Sequence, residues 1–307
     1  MTAGWVAAST RGSALVRRLV GDAGARELAG AETWSEAQGQ LSGTFYGAEM
    51  PSNADRATAR RAATTATIWQ LRVLAGWMPV GASSLARLFA APVEIANIEA
   101  HLASLSGADT STPLSLGSMA VAWPSVVPAT SPEQVRTALI HSAWGDPGGA
   151  DPVTVGFGLR AAWARRLVRQ VPDAAPWAKG GLALLIAREL YAFDRDIAPL
   201  TGRELDRLVG NRWRQATSIS DLARLMPESA GWALANIASP SELWQAEVGV
   251  ARRVTADATA LATAKRFTKG TVAATMALLL LDLRKVTAAI ELAGRGHHRT
   301  EVFDAVA

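Results

Sequence analysis

A short helical signature occurs three times in this chain, at intervals close to a third of its 307 residues. It reads EIANIEAHL from Glu94 to Leu102, ELYAFDRDI from Glu189 to Ile197 and DLRKVTAAI from Asp282 to Ile290, the copies beginning 95 and 93 residues apart. Each copy opens on a carboxylate and then spaces apolar residues at i, i+3 and i+7. These are Ile95, Ile98 and Leu102, then Leu190, Phe193 and Ile197, then Leu283, Val286 and Ile290. Such spacing gathers each trio on one helix face. A unit repeated three times restricts the chain to an architecture of stacked or ring-arranged copies.

A second marker keeps step with the first. SEAQGQLSGTFYG (35–47) aligns without a gap on EQVRTALIHSAWG (133–145), so that Leu41 meets Leu139, Tyr46 meets Trp144 and Gly47 meets Gly145. DLARLMPESAGWA (221–233) keeps Trp232 at the aromatic position and has Pro227 where the leucine stands in the others. The aromatic steps of 98 and 88 residues nearly match the signature steps in total.

The rest of the sequence predicts helices. Ala, Leu and Arg dominate and runs of β-branched residues are short. Long helices are expected over Asp55–Trp77, capped by Asn53 or Asp55, over Thr154–Val171, ended by Pro172, and over Ser241–Ala264. Ser83–Ala90 and Val93–Leu105 read as two pieces on either side of Pro92, and Gly107 stops the second. The Ser/Thr/Pro-rich stretch from Ser106 to Pro132 reads as a linker, and GDPGGADP (145–152) is the strongest turn. The expectation is an all-α chain of three helical repeats, 1–107, 108–202 and 203–307.

Composition narrows the function. There are no cysteines, which removes disulfides and thiolate metal sites. The most apolar stretch, Val272–Leu281, is far short of the ~20 residues that a spanning helix needs. The segment from Met1 to Trp5 meets Arg11, Arg17 and Arg18 before any long apolar run, unlike a signal peptide, so a cytoplasmic, non-integral protein is expected. The charge balance is mildly basic, 31 Lys+Arg against 27 Asp+Glu, with arginines scattered and not striped as nucleic-acid binding demands. Arg160, Arg165, Arg166 and Arg169 around Trp163 form the densest group and read as a solvated helix face, a surface that docks on acidic protein or anionic lipid headgroups being the alternative.

No active site is legible. Asp194-Arg-Asp196 lacks the facing acidic cluster that a metal-dependent helical enzyme needs, and His297-His298, His101 and His141 do not form a ligand set. Gly148-Gly149 lies among prolines and aspartates, a turn and not a phosphate loop. No catalytic, cofactor-binding or metal residue is assigned, and neither nucleic acid nor a small-molecule substrate is expected. The eleven tryptophans read mostly as helix–helix anchors, some of them as partner anchors.

The marker and signature segments resemble the C subunit of bacterial and archaeal V/A-type ATPases, whose eukaryotic counterpart is the d subunit of the vacuolar proton pump. In that family each of three copies carries a Leu-x-x-Thr-x-Tyr segment, matched here by Leu41 with Thr44-Phe45-Tyr46 and by Ser142-Ala143-Trp144. It also carries a helix with an acidic residue, Asn-Leu-Lys/Arg and a small-residue end, matched by Glu94, Asn97-Ile98 and Gly107. Glu99 stands where a cation is usual, and Ala192 and Lys285 replace the asparagine in the later copies. The resemblance covers essentially the whole chain. It implies a funnel-shaped, pseudo-threefold subunit without catalysis of its own, one copy per complex, on the cytoplasmic side of the membrane. Such a subunit would couple the D and F stalk subunits to the membrane proteolipid ring of a proton- or sodium-translocating pump. A helical-repeat scaffold for another complex is the alternative.

Overall fold

The computed structural model describes residues 3–264, 266–296 and 299–306. Among them the secondary structure is entirely helical. In chain order the helices are α1 (Ala3–Val16), α2 (Gly21–Gly30), α3 (Trp34–Ser42), α4 (Arg56–Trp77) and α5 (Ser83–Leu105). Next come α6 (Trp123–Val126), α7 (Pro132–Ile140), α8 (Pro152–Gln170), α9 (Ala175–Ala187) and α10 (Pro199–Val209). The last are α11 (Ile219–Leu225), α12 (Glu228–Gly231), α13 (Leu243–Thr263), α14 (Lys269–Leu292) and α15 (Arg299–Val306).

The helix starts follow side-chain capping chemistry. Asp55 accepts the Thr58 N–H at 2.7 Å and opens α4; Asp151 accepts the Thr154 N–H at 2.9 Å and opens α8. Thr33, Ser131, Ser218 and Thr268 cap α3, α7, α11 and α14 in the same way. One expected interruption is missing: α5 runs through Pro92 without a break. Proline removes one backbone donor, but residues 88–91 and 93–95 around it are all buried, and their packing holds the helix where local propensity would end it.

The chain groups into two compact units, Met1–Phe89 with Ala251–Ala307, and Ala90–Val250. The first is built on α14, which packs against α1, α2 and α4. The apolar run 272–281 lies in this helix, and every residue from Gly270 to Leu279 is buried. No helix among the described residues is long and apolar enough to cross a membrane. Small residues permit the close approach: a Cβ on Gly12 of α1 would lie 2.9 Å from the Thr275 hydroxyl.

The second unit has its core between the C-terminal part of α5, α6, α7 and α8. Ile95, Ile98 and Leu102, the apolar trio of the first signature, pack there with Val126, Val135, Leu139, Trp144, Val155 and Leu159. Its other half packs α9 against α8, α11 and α12, and the Trp232 ring would lie 2.5 Å from a Cβ on Gly180.

Candidate functional site

Two of the three carboxylates that open the signatures, Glu94 and Asp282, organise the structure around them. Glu94 is fully buried. Its Oε1 accepts three successive backbone N–H groups, from Val121 (2.7 Å), Ala122 (2.7 Å) and Trp123 (2.8 Å), at the start of α6. Its Oε2 accepts the indole N–H of Trp144 at 3.1 Å. One turn along α5, Asn97 grips Leu114 through both backbone groups, at 2.8 and 3.0 Å. The stretch that reads as a linker is therefore tied down at Leu114 and again at 121–123. A carboxylate suits this place because the first N–H groups of a helix have no internal partners and carry its positive end.

Asp282 repeats the arrangement in the first unit. Its oxygens accept the N–H groups of Val20 (3.0 Å) and Gly21 (2.7 Å) at the start of α2, and the hydroxyl of Tyr46 at 2.8 Å. One turn further along α14, Lys285 pairs with Asp22 in the first turn of α2. So a carboxylate caps the incoming helix, and a cation one turn away meets that helix's own acid.

The marker segments share a local design as well. Thr44 donates its hydroxyl to the Leu41 carbonyl (2.7 Å) and accepts the Tyr46 N–H (3.2 Å). Ser142 does the same with Leu139 (2.8 Å) and Trp144 (3.1 Å). The hydroxyl thus turns the chain and delivers the aromatic to its carboxylate. Thr44→Ala and Ser142→Ala should each cost about 1 kcal/mol, as for a lost helix cap, measured by urea unfolding.

Burial, and then the charge and hydrogen bond of Asp282, raise the Tyr46 pKa above its usual value. The native state therefore keeps this proton when the unfolded chain has lost it. The stability that depends on it is fully present below about pH 10 and falls as pH rises further, by up to about 1.4 kcal/mol per pH unit. Tyr46→Phe should flatten that part of the pH–stability profile relative to wild type, a comparison that other alkaline titrations do not obscure.

The second signature departs from expectation. α9 ends at Ala187, and Arg188–Ala192 form a π-helical turn, closed by the Phe193 N–H on the Arg188 carbonyl at 3.0 Å. Asp194 has a left-handed φ of 50°. Leu190, Phe193 and Ile197 therefore do not form one helix face; Phe193 is 47% exposed. The charged run Asp194-Arg195-Asp196 before Pro199 gives the helix nothing to bury, and it stops. Glu189 itself is buried, 9% exposed, and among the described residues its carboxylate has one partner, the Arg195 guanidinium at 3.8 Å.

Glu189 lines an open cleft of about 400 Å³. Phe157, Leu185 and Phe193 give it apolar walls; Arg160, Arg188 and Arg195 supply three cations. Arg160 is paired with Glu99 and Arg188 with Glu247, while Arg195 also lies on the Phe193 ring, 4.5 Å from its centre.

The arginine group on α8 is a solvated face only in part: Arg169 is exposed, while the other three are engaged. Arg160 lines the cleft, Arg165 pairs with Glu204 at 3.3 Å, and Arg166 lies over Trp144, 5.1 Å from the ring centre. Burial lowers the Arg166 pKa, opposed by the charge of Glu94. The tryptophans divide: Trp144, Trp177 and Trp213 are buried, whereas Trp69 and Trp77 of α4 and Trp244 of α13 are 59, 51 and 48% exposed. His101 donates its Nε2–H to the Ala129 carbonyl at 3.0 Å and meets Trp123 edge-on. Asp194 and Asp196 are exposed, and no three acidic or histidine side chains among the described residues converge to hold a metal. His297-His298 lie outside the described residues.

Arg166, Lys285 with Asp22, and the cleft at Glu189 were not singled out by the sequence as working parts, whereas Asn97 entered through the family resemblance. The one available signal was the carboxylate at the head of every signature. No protein-family model matches the chain, and no curated protein is similar to it.

Proposed function

We propose that the chain is a non-catalytic helical adaptor made of three pseudo-symmetric repeats, 1–107, 108–202 and 203–307, acting as the rotor collar of a V/A-type ATPase. In that role it couples the D/F stalk to the membrane proteolipid ring on the cytoplasmic side. The observation that carries this reading is the pairing of Glu94 with Trp144 and of Asp282 with Tyr46. In repeat terms each joins a signature helix to the aromatic marker of the next copy, first to second and third back to first. Exchange of that kind is what a closed, funnel-shaped arrangement of three copies needs. It also suits a part that must transmit torque, because the first and third signature helices are fixed by buried, geometrically specific bonds that resist shear. The exposed tryptophans on α4 and α13 supply large contact surfaces on two of the long helices, of the type enriched where partners bind.

The test is an affinity pull-down of the tagged chain from detergent-solubilised native membranes. Recovery of V-type catalytic, D and F subunits with a proteolipid is the expected result. Recovery of a reproducible complex lacking every ATPase subunit overturns the collar and leaves a scaffold for that other complex.

A further inference from the structure

Glu94 and Asp282 each cap the start of a helix; Glu189, which holds the corresponding place in the second signature, caps none. The Glu189 carboxylate has room for about four donors and, among the described residues, one partner at 3.8 Å, so most of its acceptor capacity is open to the cleft that it lines. Arg160 and Arg188 are closely paired with Glu99 and Glu247, whereas Arg195 stands 3.8 Å from Glu189, the loosest of the three pairs. The first unit displays the occupant that such a site fits: α2 brings free N–H groups to Asp282 and its first-turn Asp22 to Lys285. At the cleft, Arg188 and Arg195 flank Glu189 as Lys285 follows Asp282. Phe157, Leu185 and Phe193 offer apolar surface for the side of an incoming helix. The π turn and the left-handed Asp194 hold Phe193 and Arg195 at the rim, in conformations an uninterrupted helix would not give.

We propose that this cleft takes the N-terminus of a helix from a partner polypeptide, its free N–H groups capped by Glu189 and a first-turn acidic side chain held by Arg195. Helix N-termini carry acidic residues by preference, so the two halves of the site select the same ligand. The inference rests on the register of the repeats but not on the ATPase assignment, so it survives if the collar reading fails.

The probe is a synthetic peptide copying Val20–Ala31, acetylated, helix-stabilised by a side-chain lactam and labelled at its C-terminus. Its binding to the full chain is followed by fluorescence anisotropy. Saturable binding is expected, weakened about tenfold by Glu189→Gln and similarly by Arg195→Gln, since each removes one charge-assisted contact. A peptide with lysine in place of its aspartate should not bind. Melting curves of both variants close to wild type show that the cleft, and not the fold, has changed. Absence of saturation up to about 1 mM, equal affinity for wild type and Glu189→Gln, or undiminished binding of the lysine peptide each overturns the proposal.

Discussion

Replacing Glu94 by alanine should lower the stability of the protein by about 4–6 kcal/mol, more than any other single truncation of a polar side chain in it. The change removes one acceptor group and strands four donors, the N–H groups of Val121, Ala122 and Trp123 and the Trp144 indole. A buried donor left without a partner costs about 1–3 kcal/mol, and some of these four will be rescued by water as the 121–123 turn loosens. For a chain of this size the loss corresponds to a fall of about 6–9 °C in Tm. Glu94→Gln retains an acceptor of the same shape and should lose about half as much, because the charge-assisted part of the bonds disappears. Near-UV circular dichroism of the tryptophans reports the same event locally, since Trp144 loses its fixed partner. A Glu94→Ala melting curve within a degree or two of wild type would show that the clamp contributes nothing.

Ile98→Asp should be comparably damaging for a different reason. Ile98 is wholly buried among Val126, Leu139 and Leu159, one turn after Glu94. A carboxylate placed there has no donor provided for it, and burial of an unpaired charge exceeds about 4 kcal/mol, the range reached only by the most disruptive single substitutions. Ala96→Asp is the control. Ala96 is exposed on the same helix, and this change should stay within about 0.5 kcal/mol. Urea unfolding of the two variants distinguishes a requirement for this helix face from a general intolerance of acid in α5.

What the sequence disclosed depended on range. Helix starts were legible where the information is local: Asp55 caps α4 as expected, and Pro172 stands just beyond α8. Pro92 misled because the same local rule ignores burial on both sides of it. The apolar trio of the first signature was legible from its spacing, and it does face the core. That of the second was not, since periodicity continues through Phe193 and Ile197 although the helix has ended and Phe193 is exposed. The carboxylates stood out only as a regularity. Their partners lie 50 residues away for Trp144 and 236 for Tyr46, and spacing alone says nothing about which distant aromatic a carboxylate will meet. The cleft was invisible for a related reason: it exists because a helix stops early, and the sequence there still reads as helical.

The first compact unit is assembled from two stretches separated by 161 residues, with Asp282 joining the later stretch to the start of α2. Synthesis on the ribosome therefore delivers its parts out of order. Residues 90–250 are complete as a set before the residues of α14 have been added. At about 5–20 residues per second, the 57 residues from 251 onward need roughly 3–11 s. During that interval α1, α2 and α4 have no α14 to cover them, and their apolar faces are available to chaperones or to neighbouring nascent chains. Slow translation across 251–290 would lengthen the exposure without changing a single residue.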